Sequence, residues 1–171
     1  VLGGPALLNT ALRRARVLAV PGNPASFASR EAVIDGLRVS RDRWASVIDP
    51  SVRIAPGASI GVNTLVLAGC FVGASAAVSD HCIVLPQTVI QHDAVVEKFA
   101  VLGAHVTVSG ACRIGRGSYV ASGSRIKDHV TVGAKSLVGL GSVVLKDVAP
   151  GSVVAGHPAA PIRSRRGSRT A

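Results

Sequence analysis

Aliphatic residues recur at every sixth position over more than half of the chain. The series begins at Ile48 and ends at Val144, and all 17 of its positions are Ile, Val or Leu. We call this series the aliphatic ladder. An amphipathic helix would space its apolar residues three or four apart, and a half-buried strand would alternate them. A period of six fits neither, so it indicates short strands separated by turns in a repeating architecture.

A second column of residues follows the same period. Two residues before each ladder position, from Val52 to Ser142, the side chain is always Val, Ala, Thr, Cys or Ser. All three cysteines of the chain fall in this small-residue column: Cys70, Cys82 and Cys112. Their place predicts compact buried fillers rather than nucleophiles or metal ligands, and their odd number argues against a disulfide framework.

Turns every six residues predict a triangular prism. Each side takes one hexapeptide, so three hexapeptides make a coil, with aliphatic side chains stacked inside and small residues in the corners. Residues 47–149 therefore predict an all-β fold, a parallel β-helix of about five to six coils. Where glycine follows the ladder residue, we expect a tight turn that uses its freedom in φ. These glycines are Gly61, Gly73, Gly103, Gly115, Gly133 and Gly139.

The two ends of the chain have other patterns. Residues 1–46 predict a partial α/β segment, with helices over 1–12 and 24–37, a strand and loop over 14–23 and a final strand over 43–50. Residues 150–171 are a C-terminal extension that ends in a basic tail from Arg163 to Arg169, which we expect to be a disordered terminus.

Composition and charge narrow the classes of function. The net charge of +10 is compatible with nucleic acid, but the arginines concentrate at the two ends, and the middle has no basic helix and no aromatic stacking platform. We therefore expect no nucleic-acid partner. No apolar run is long enough to span a membrane and no charged-then-apolar leader opens the sequence, which predicts a soluble cytoplasmic protein.

His92 and Asp93 are adjacent ionisable residues within this apolar lattice. His92 follows Ile90 by two residues, so we expect it in a turn, projecting from the prism. One coil later, about 4.8 Å away, is Gly110, which leaves room beside the imidazole and exposes a backbone N–H. Imidazole suits a general base, a neighbouring carboxylate can fix its tautomer, and the N–H can stabilise an oxyanion. The bland alternative is a solvated pair on a solenoid turn.

The other turn histidines do not suggest a metal site. His81, His105 and His129 each follow a ladder residue by three and are separated by four hexapeptides, which places them on different faces. We expect them to be solvated turn residues.

Three stretches resemble a known family. "VIQHDAVVEKF", "GACRIGRGSYV" and "GLGSVVLKDVAPGSVVAGHPAAPI" are similar to the left-handed β-helix sugar acyltransferases of the sialic acid O-acetyltransferase type, which include the NeuD-like and PglD-like N-acetyltransferases. The resemblance covers about residues 1–163. It implies a left-handed coil and homotrimeric assembly. It also implies acetyl-CoA as co-substrate and a sugar or sugar nucleotide as the acceptor, as in polysaccharide biosynthesis.

The resemblance also implies roles for individual residues. His92 matches the general base, Asp93 its acidic companion, and Gly110 a residue beside the acetyl-CoA thioester. The column Ala104, Ser122 and Leu140 would line the slot for the pantetheine arm between adjacent subunits. Residues 1–46 match the latter half of a Rossmann-like domain that holds the sugar nucleotide. The position of the family's second histidine, which contacts the cofactor, is occupied by Val101.

Two other functions remain open at this point. One is a non-catalytic trimeric scaffold. The other is a metalloenzyme like the γ-class carbonic anhydrases, which needs three histidines converging on one metal and an H-x4-H pair. No such spacing occurs in the sequence, so we predict an acetyltransferase without a metal.

Overall fold

The computed structural model describes residues 5–162, most of which form a triangular coil of short strands. Each of the first 17 strands has two residues and ends on a ladder residue. The strands are β1 (Val47–Ile48), β2 (Arg53–Ile54), β3 (Ser59–Ile60), β4 (Leu65–Val66), β5 (Phe71–Val72), β6 (Ala77–Val78), β7 (Ile83–Val84), β8 (Val89–Ile90), β9 (Val95–Val96), β10 (Val101–Leu102), β11 (Thr107–Val108), β12 (Arg113–Ile114), β13 (Tyr119–Val120), β14 (Arg125–Ile126), β15 (Thr131–Val132), β16 (Leu137–Val138), β17 (Val143–Val144), β18 (Val153–Gly156) and β19 (Ala159–Pro161).

The strands form three sheets, which are the three faces of the prism. The first face has the order β1-β4-β7-β10-β13-β16-β18-β19, the second β17-β14-β11-β8-β5-β2, and the third β15-β12-β9-β6-β3. Successive strands of a face are one coil apart and pair in parallel, as between Leu102 and Val120. Among the strands of residues 5–162, only β18 and β19 pair antiparallel. The predicted left-handed β-helix of about six coils is confirmed.

The ladder fills the interior. From Val66 to Val144 every ladder side chain is at most 2% exposed, whereas Ile48 and Ile54 in the first coil are 40% and 45% exposed. Each coil buries its aliphatic side chains only against the coils before and after it. The first coil has a neighbour on one side alone, and its end of the core is therefore open in the isolated chain.

Side chains of the small-residue column form hydrogen bonds between successive coils as well as filling the corners. Thr88 Oγ1 donates a hydrogen bond of 2.7 Å to the Gly103 carbonyl on the following coil. Ser118 does the same to Gly133, and the Cys82 thiol donates to the Glu97 carbonyl at 3.2 Å. Small hydroxyl and thiol groups therefore satisfy buried backbone carbonyls at the corners, where strand pairing ends.

The turn glycines are required by close packing between coils and not by a left-handed backbone conformation. From Ile54 to Val138, the residue with positive φ is the third after the ladder residue, and many of these residues are not glycine. The prediction that Gly61, Gly73, Gly103, Gly115, Gly133 and Gly139 use positive φ is wrong. A β-carbon at any of them would lie only 2.4 to 2.6 Å from an atom of the next coil.

Residues 5–46, the described part of the N-terminal segment, contain less regular structure than the sequence predicts. They have 3-10 helices at Pro5–Asn9, Phe27–Ser29 and Arg41–Arg43, and one α-helix, α1 (Arg30–Gly36). Of the strand and loop predicted over 14–23, the strand is reduced to a single parallel bridge between Val17 and Trp44. The predicted helix over 24–37 begins late, because Asn23 Oδ1 accepts hydrogen bonds from the N–H groups of Ala25 and Ser26 and forms a turn instead.

Buried polar contacts hold this segment on the prism. Arg30 is 1% exposed and donates to three carbonyls, those of Pro21, His81 (2.8 Å) and Phe99 (3.3 Å). The Asn63 side chain pairs with both backbone groups of Ala19, at 2.7 and 3.2 Å. The segment therefore lies along the corner between the third and first faces.

Residues 1–4 and the basic tail lie outside the described residues, so the predicted disorder of Arg163–Arg169 remains a prediction. Within residues 5–162, the helices are too short or too polar to cross a bilayer.

Candidate active site

His92 and Asp93 form the turn between β8 and β9, at the corner between the second and third faces. His92 Nδ1 lies 2.9 Å from Asp93 Oδ2. When Asp93 is ionised it can only accept, so Nδ1 carries the proton and the lone pair of Nε2 is available. The two side chains are 66% and 61% exposed, so the pair points away from the coil interior and is open to a ligand.

Gly110 lies beside the imidazole, one coil further along the same corner. A β-carbon built on Gly110 would lie 2.6 Å from Cε1 and 2.7 Å from Nε2 of His92. Any larger residue would push the ring away. Within residues 5–162, the N–H of Gly110 donates to no other atom. The corner thus brings together a nitrogen acceptor, a free backbone donor and an orienting carboxylate.

The predicted pantetheine column occupies a different corner. Ala104, Ser122 and Leu140 lie between the first and second faces, and the Ala104 N–H donates to Ser122 Oγ at 3.1 Å. The whole second face separates this column from His92 and Gly110 within one chain. Leu140 is 78% exposed. A single chain therefore does not bring the two halves of the predicted site together.

Val101, at the position of the family's second histidine, does not face the candidate site. It is 6% exposed, on the outer side of the first face. A side chain there cannot reach the corner that holds His92 within one chain.

The cysteines are poor nucleophiles. Burial raises the pKa of the Cys82 thiol to about 12, and it also raises the pKa of the Cys70 and Cys112 thiols. The thiolate is the reactive form, so these groups are inert at neutral pH.

His81 belongs to a packed cluster, contrary to the prediction of a solvated turn residue. Its ring stacks on Phe99 with centroids 4.8 Å apart and meets the edge of Trp44 at 5.4 Å. Asn63 Nδ2 lies 2.8 Å from His81 Nδ1. Burial lowers the pKa of His81, because a charged imidazole would lose hydration there. Asn63, His81 and Phe99 follow one another at intervals of one coil, a spacing that could have revealed this stack along the corner.

Asp80 anchors the same corner. Its carboxylate contacts Arg41 at 2.6 Å and Lys98 at 3.3 Å, and accepts the Val62 N–H at 3.0 Å. Burial alone would raise the pKa of Asp80, but the bonds from Arg41, Val62 and Lys98 outweigh it and lower the pKa to about 2.

This pairing predicts a loss of stability in acid. A carboxyl whose pKa is lower in the folded state than its ordinary 3.8 stabilises the fold above that pH, and the contribution disappears as the pH falls toward 2. We expect the melting temperature of the wild type to exceed that of Asp80→Asn at pH 6, and the difference to shrink between pH 4 and pH 2. A difference that stays constant over this range would show that ionised Asp80 does not stabilise the fold.

The three turn histidines other than His92 lie at three different corners of the prism. His81 is at the corner between the third and first faces, His105 at the corner between the first and second, and His129 at the corner between the second and third. Within the described residues, no group of three or more His, Cys, Asp or Glu side chains could hold a metal ion.

Comparison with known sequences finds relatives of the coil. Residues 44–143 match the family described as "GMPPB C-terminal domain". The UDP-3-O-acylglucosamine N-acyltransferase of Methylobacterium sp. (strain 4-46) is 34% identical over 83 residues, which are 48% of this chain and 18% of that protein. The matched segment therefore spans less than a fifth of that curated relative.

Comparison with solved structures extends over nearly the whole chain. The acetyltransferase domain of PglB from Neisseria gonorrhoeae FA1090 has a TM-score of 0.87 and 27% identity, over 95% of this chain and 78% of that one. The same domain solved with acetyl coenzyme A gives 0.83 at 28% identity, with the same coverage. PerB from Caulobacter crescentus, solved with CoA and GDP-perosamine, gives 0.82 at 25% identity, over 92% and 76%. These structural neighbours are sugar acetyltransferases built on a left-handed β-helix.

Proposed function

The chain belongs to the family described as "GMPPB C-terminal domain", and from that premise we propose that it is an acetyl-CoA-dependent acetyltransferase acting on an amine or hydroxyl of a sugar or sugar nucleotide. The observation that carries the proposal is the packing of the His92 imidazole against Gly110, whose backbone N–H donates to no other atom within residues 5–162. The acetyl-CoA bound to the PglB domain and the CoA and GDP-perosamine bound to PerB support the choice of donor and acceptor.

The corner supplies the groups that acyl transfer requires. The acceptor nitrogen or oxygen attacks the thioester carbonyl carbon, and His92 Nε2 takes the proton that the acceptor loses. Asp93 keeps Nδ1–H oriented and stabilises the imidazolium that forms. The Gly110 N–H donates to the oxyanion. When the C–S bond breaks, the imidazolium returns the proton to the thiolate, which leaves as the free thiol of CoA.

A second chain would complete the site. Ala104, Ser122 and Leu140 lie across the second face from His92, so this column of one protomer can face His92 and Gly110 of the next in a ring with rotational symmetry. The straight prism offers long flat faces for a second copy to pack against, and the resemblance implies a homotrimer. The pantetheine arm would then lie between subunits, and contact with the arm would cover the exposed side chain of Leu140.

We propose the acceptor as a class, a sugar or sugar nucleotide, rather than as one compound. We place the protein with the sialic acid O-acetyltransferase type, in its NeuD-like and PglD-like branch, on the sequence around His92 and on the C-terminal "GHPAAPI". The partial α/β segment of residues 1–46 is the part that would contact the sugar nucleotide. Its attachment through Arg30 and Asn63 fixes it on a neighbouring corner of the same prism.

Release of the free CoA thiol tests the proposal. Purified protein is mixed with acetyl-CoA and a panel of amino sugars, sugars and their nucleotides, and the thiol is followed with a chromogenic disulfide. We expect release that depends on the acceptor for at least one amino-sugar nucleotide. No release above hydrolysis with any acceptor, together with no heat of acetyl-CoA binding in calorimetry, would favour the non-catalytic scaffold.

A further inference from the structure

The turn that lies one coil before His92 packs directly against the backbone of His92. A β-carbon built on Gly73 would lie 2.6 Å from the backbone nitrogen of His92 and 2.7 Å from the carbonyl carbon of Gln91. The φ of Gly73 is not in the left-handed region, so nothing in its own conformation requires glycine. Position 73 needs a glycine because the backbone of Gln91 and His92 occupies the space that a side chain would take.

The neighbouring residue of that turn makes a hydrogen bond to the same place. The carbonyl of Ala74 accepts the N–H of Asp93 at 2.9 Å. Asp93 has a φ of 58°, a left-handed conformation that costs a non-glycine residue free energy unless the surroundings impose it. The Ala74 carbonyl is one of the contacts that impose it, and it thereby sets the carboxylate that orients His92.

The coil that follows His92 contacts the same turn from the other side. Ala111 N–H donates to the His92 carbonyl at 2.9 Å, and Gly110 lies against the ring. The turn of His92 and Asp93 is thus held by backbone hydrogen bonds to the coils before and after it, so a displacement of its backbone displaces the imidazole relative to Gly110.

We propose that the turn Gly73–Ala74 positions the general base: Gly73 by its missing side chain and Ala74 by its carbonyl, both acting through His92 and Asp93 without touching substrate. The inference rests on the proposed function. Misplacement of a reacting group by about 1 Å costs on the order of a hundredfold in rate. A methyl group at Gly73 forces a shift of that order on the His92 backbone, because 2.6 Å is far below a carbon–nitrogen contact distance.

Gly115 provides a matched control. It follows the ladder residue Ile114 as Gly73 follows Val72, and a β-carbon on it would lie 2.6 Å from the backbone nitrogen of Ala134. The steric conflict is therefore the same, but it falls on the corner between the third and first faces, away from His92.

The experiment compares Gly73→Ala with Gly115→Ala in the full chain. We expect similar losses of melting temperature, a fall in kcat of about ten- to a hundredfold for Gly73→Ala alone, and an unchanged KM for acetyl-CoA in both. A second readout needs no activity: the imidazole NMR resonances of His92, assigned by their loss in His92→Gln, shift in Gly73→Ala and stay in place in Gly115→Ala.

Each outcome decides the inference. Equal kcat in the two variants, or unmoved His92 resonances in Gly73→Ala, overturns it while leaving the proposed function intact. A wild type that transfers no acetyl group overturns the proposed function, whatever the resonances show. If Gly73→Ala does not fold, Ala74→Gly adds no atoms and loosens the carbonyl that holds Asp93. We expect it to lower kcat several-fold, and an unchanged kcat and unmoved His92 resonances in Ala74→Gly would overturn the inference.

Discussion

Replacing His92 by glutamine is expected to lower the rate of acetyl transfer by at least about a hundredfold, the usual contribution of a positioned general base. Glutamine retains a polar side chain of similar length but cannot take up the proton of the acceptor. The imidazole is 66% exposed and lies outside the core, so the melting temperature should not change. The measurement is kcat in the thiol-release assay, beside a thermal melt.

His129→Gln is the control for that variant. His129 is another exposed turn histidine at the same corner, and it lies two coils beyond Asp93. We expect its kcat to stay within about twofold of wild type, because only an exposed side chain changes and the backbone hydrogen bond from His129 to the Gly110 carbonyl is kept. A His92→Gln protein that keeps the wild-type rate would remove His92 from the mechanism.

Truncating Ile126 to alanine is expected to destabilise the coil by about 2–5 kcal/mol, the usual cost of deleting a large aliphatic side chain from a packed core. Ile126 is a ladder residue in β14 and is 1% exposed. Its side chain packs between the coils before and after it, so the cavity weakens both contacts. Denaturant unfolding followed by circular dichroism measures the change.

Ile54→Ala is the matched comparison. Ile54 belongs to β2 on the same face, follows an arginine as Ile126 does, and is 45% exposed at the open first coil. We expect a loss of about 1 kcal/mol or less, because the side chain keeps much of its contact with water. Equal losses in the two variants would mean that burial along the ladder does not set the stability of the coil.

The fold could be predicted because one periodic signal determines it. The ladder from Ile48 to Val144 records which residue of every hexapeptide points inward, and each two-residue strand ends on it. The burial of the cysteines followed from the same period. The role of the glycines could not be predicted from the period. Gly73 is required by a contact with His92 on the next coil, and turn propensities describe only residues that are neighbours in sequence.

The candidate site could be predicted only in part. His92 and Gly110 differ by one coil, so the period alone places them side by side. Leu140 and the rest of its column were assigned by resemblance to a slot between adjacent subunits. The structure puts them on another corner than His92, as the period requires, and their role across a subunit boundary stays a prediction. The stack of Asn63, His81 and Phe99 has the spacing of one coil and could have been predicted, whereas the contact of His81 with Trp44 could not, because the docking of the N-terminal segment has no periodic signal.

The pH dependence of kcat/KM, set beside the NMR titration of His92 in the free protein, tests most directly whether this imidazole is the base. kcat/KM reports the ionisation of the essential groups of the free enzyme. We expect the rate to rise with pH about the same midpoint at which the His92 resonances show loss of the proton. A kinetic midpoint that differs from the NMR midpoint by more than about one pH unit, or a rate independent of pH while His92 titrates, would contradict the account.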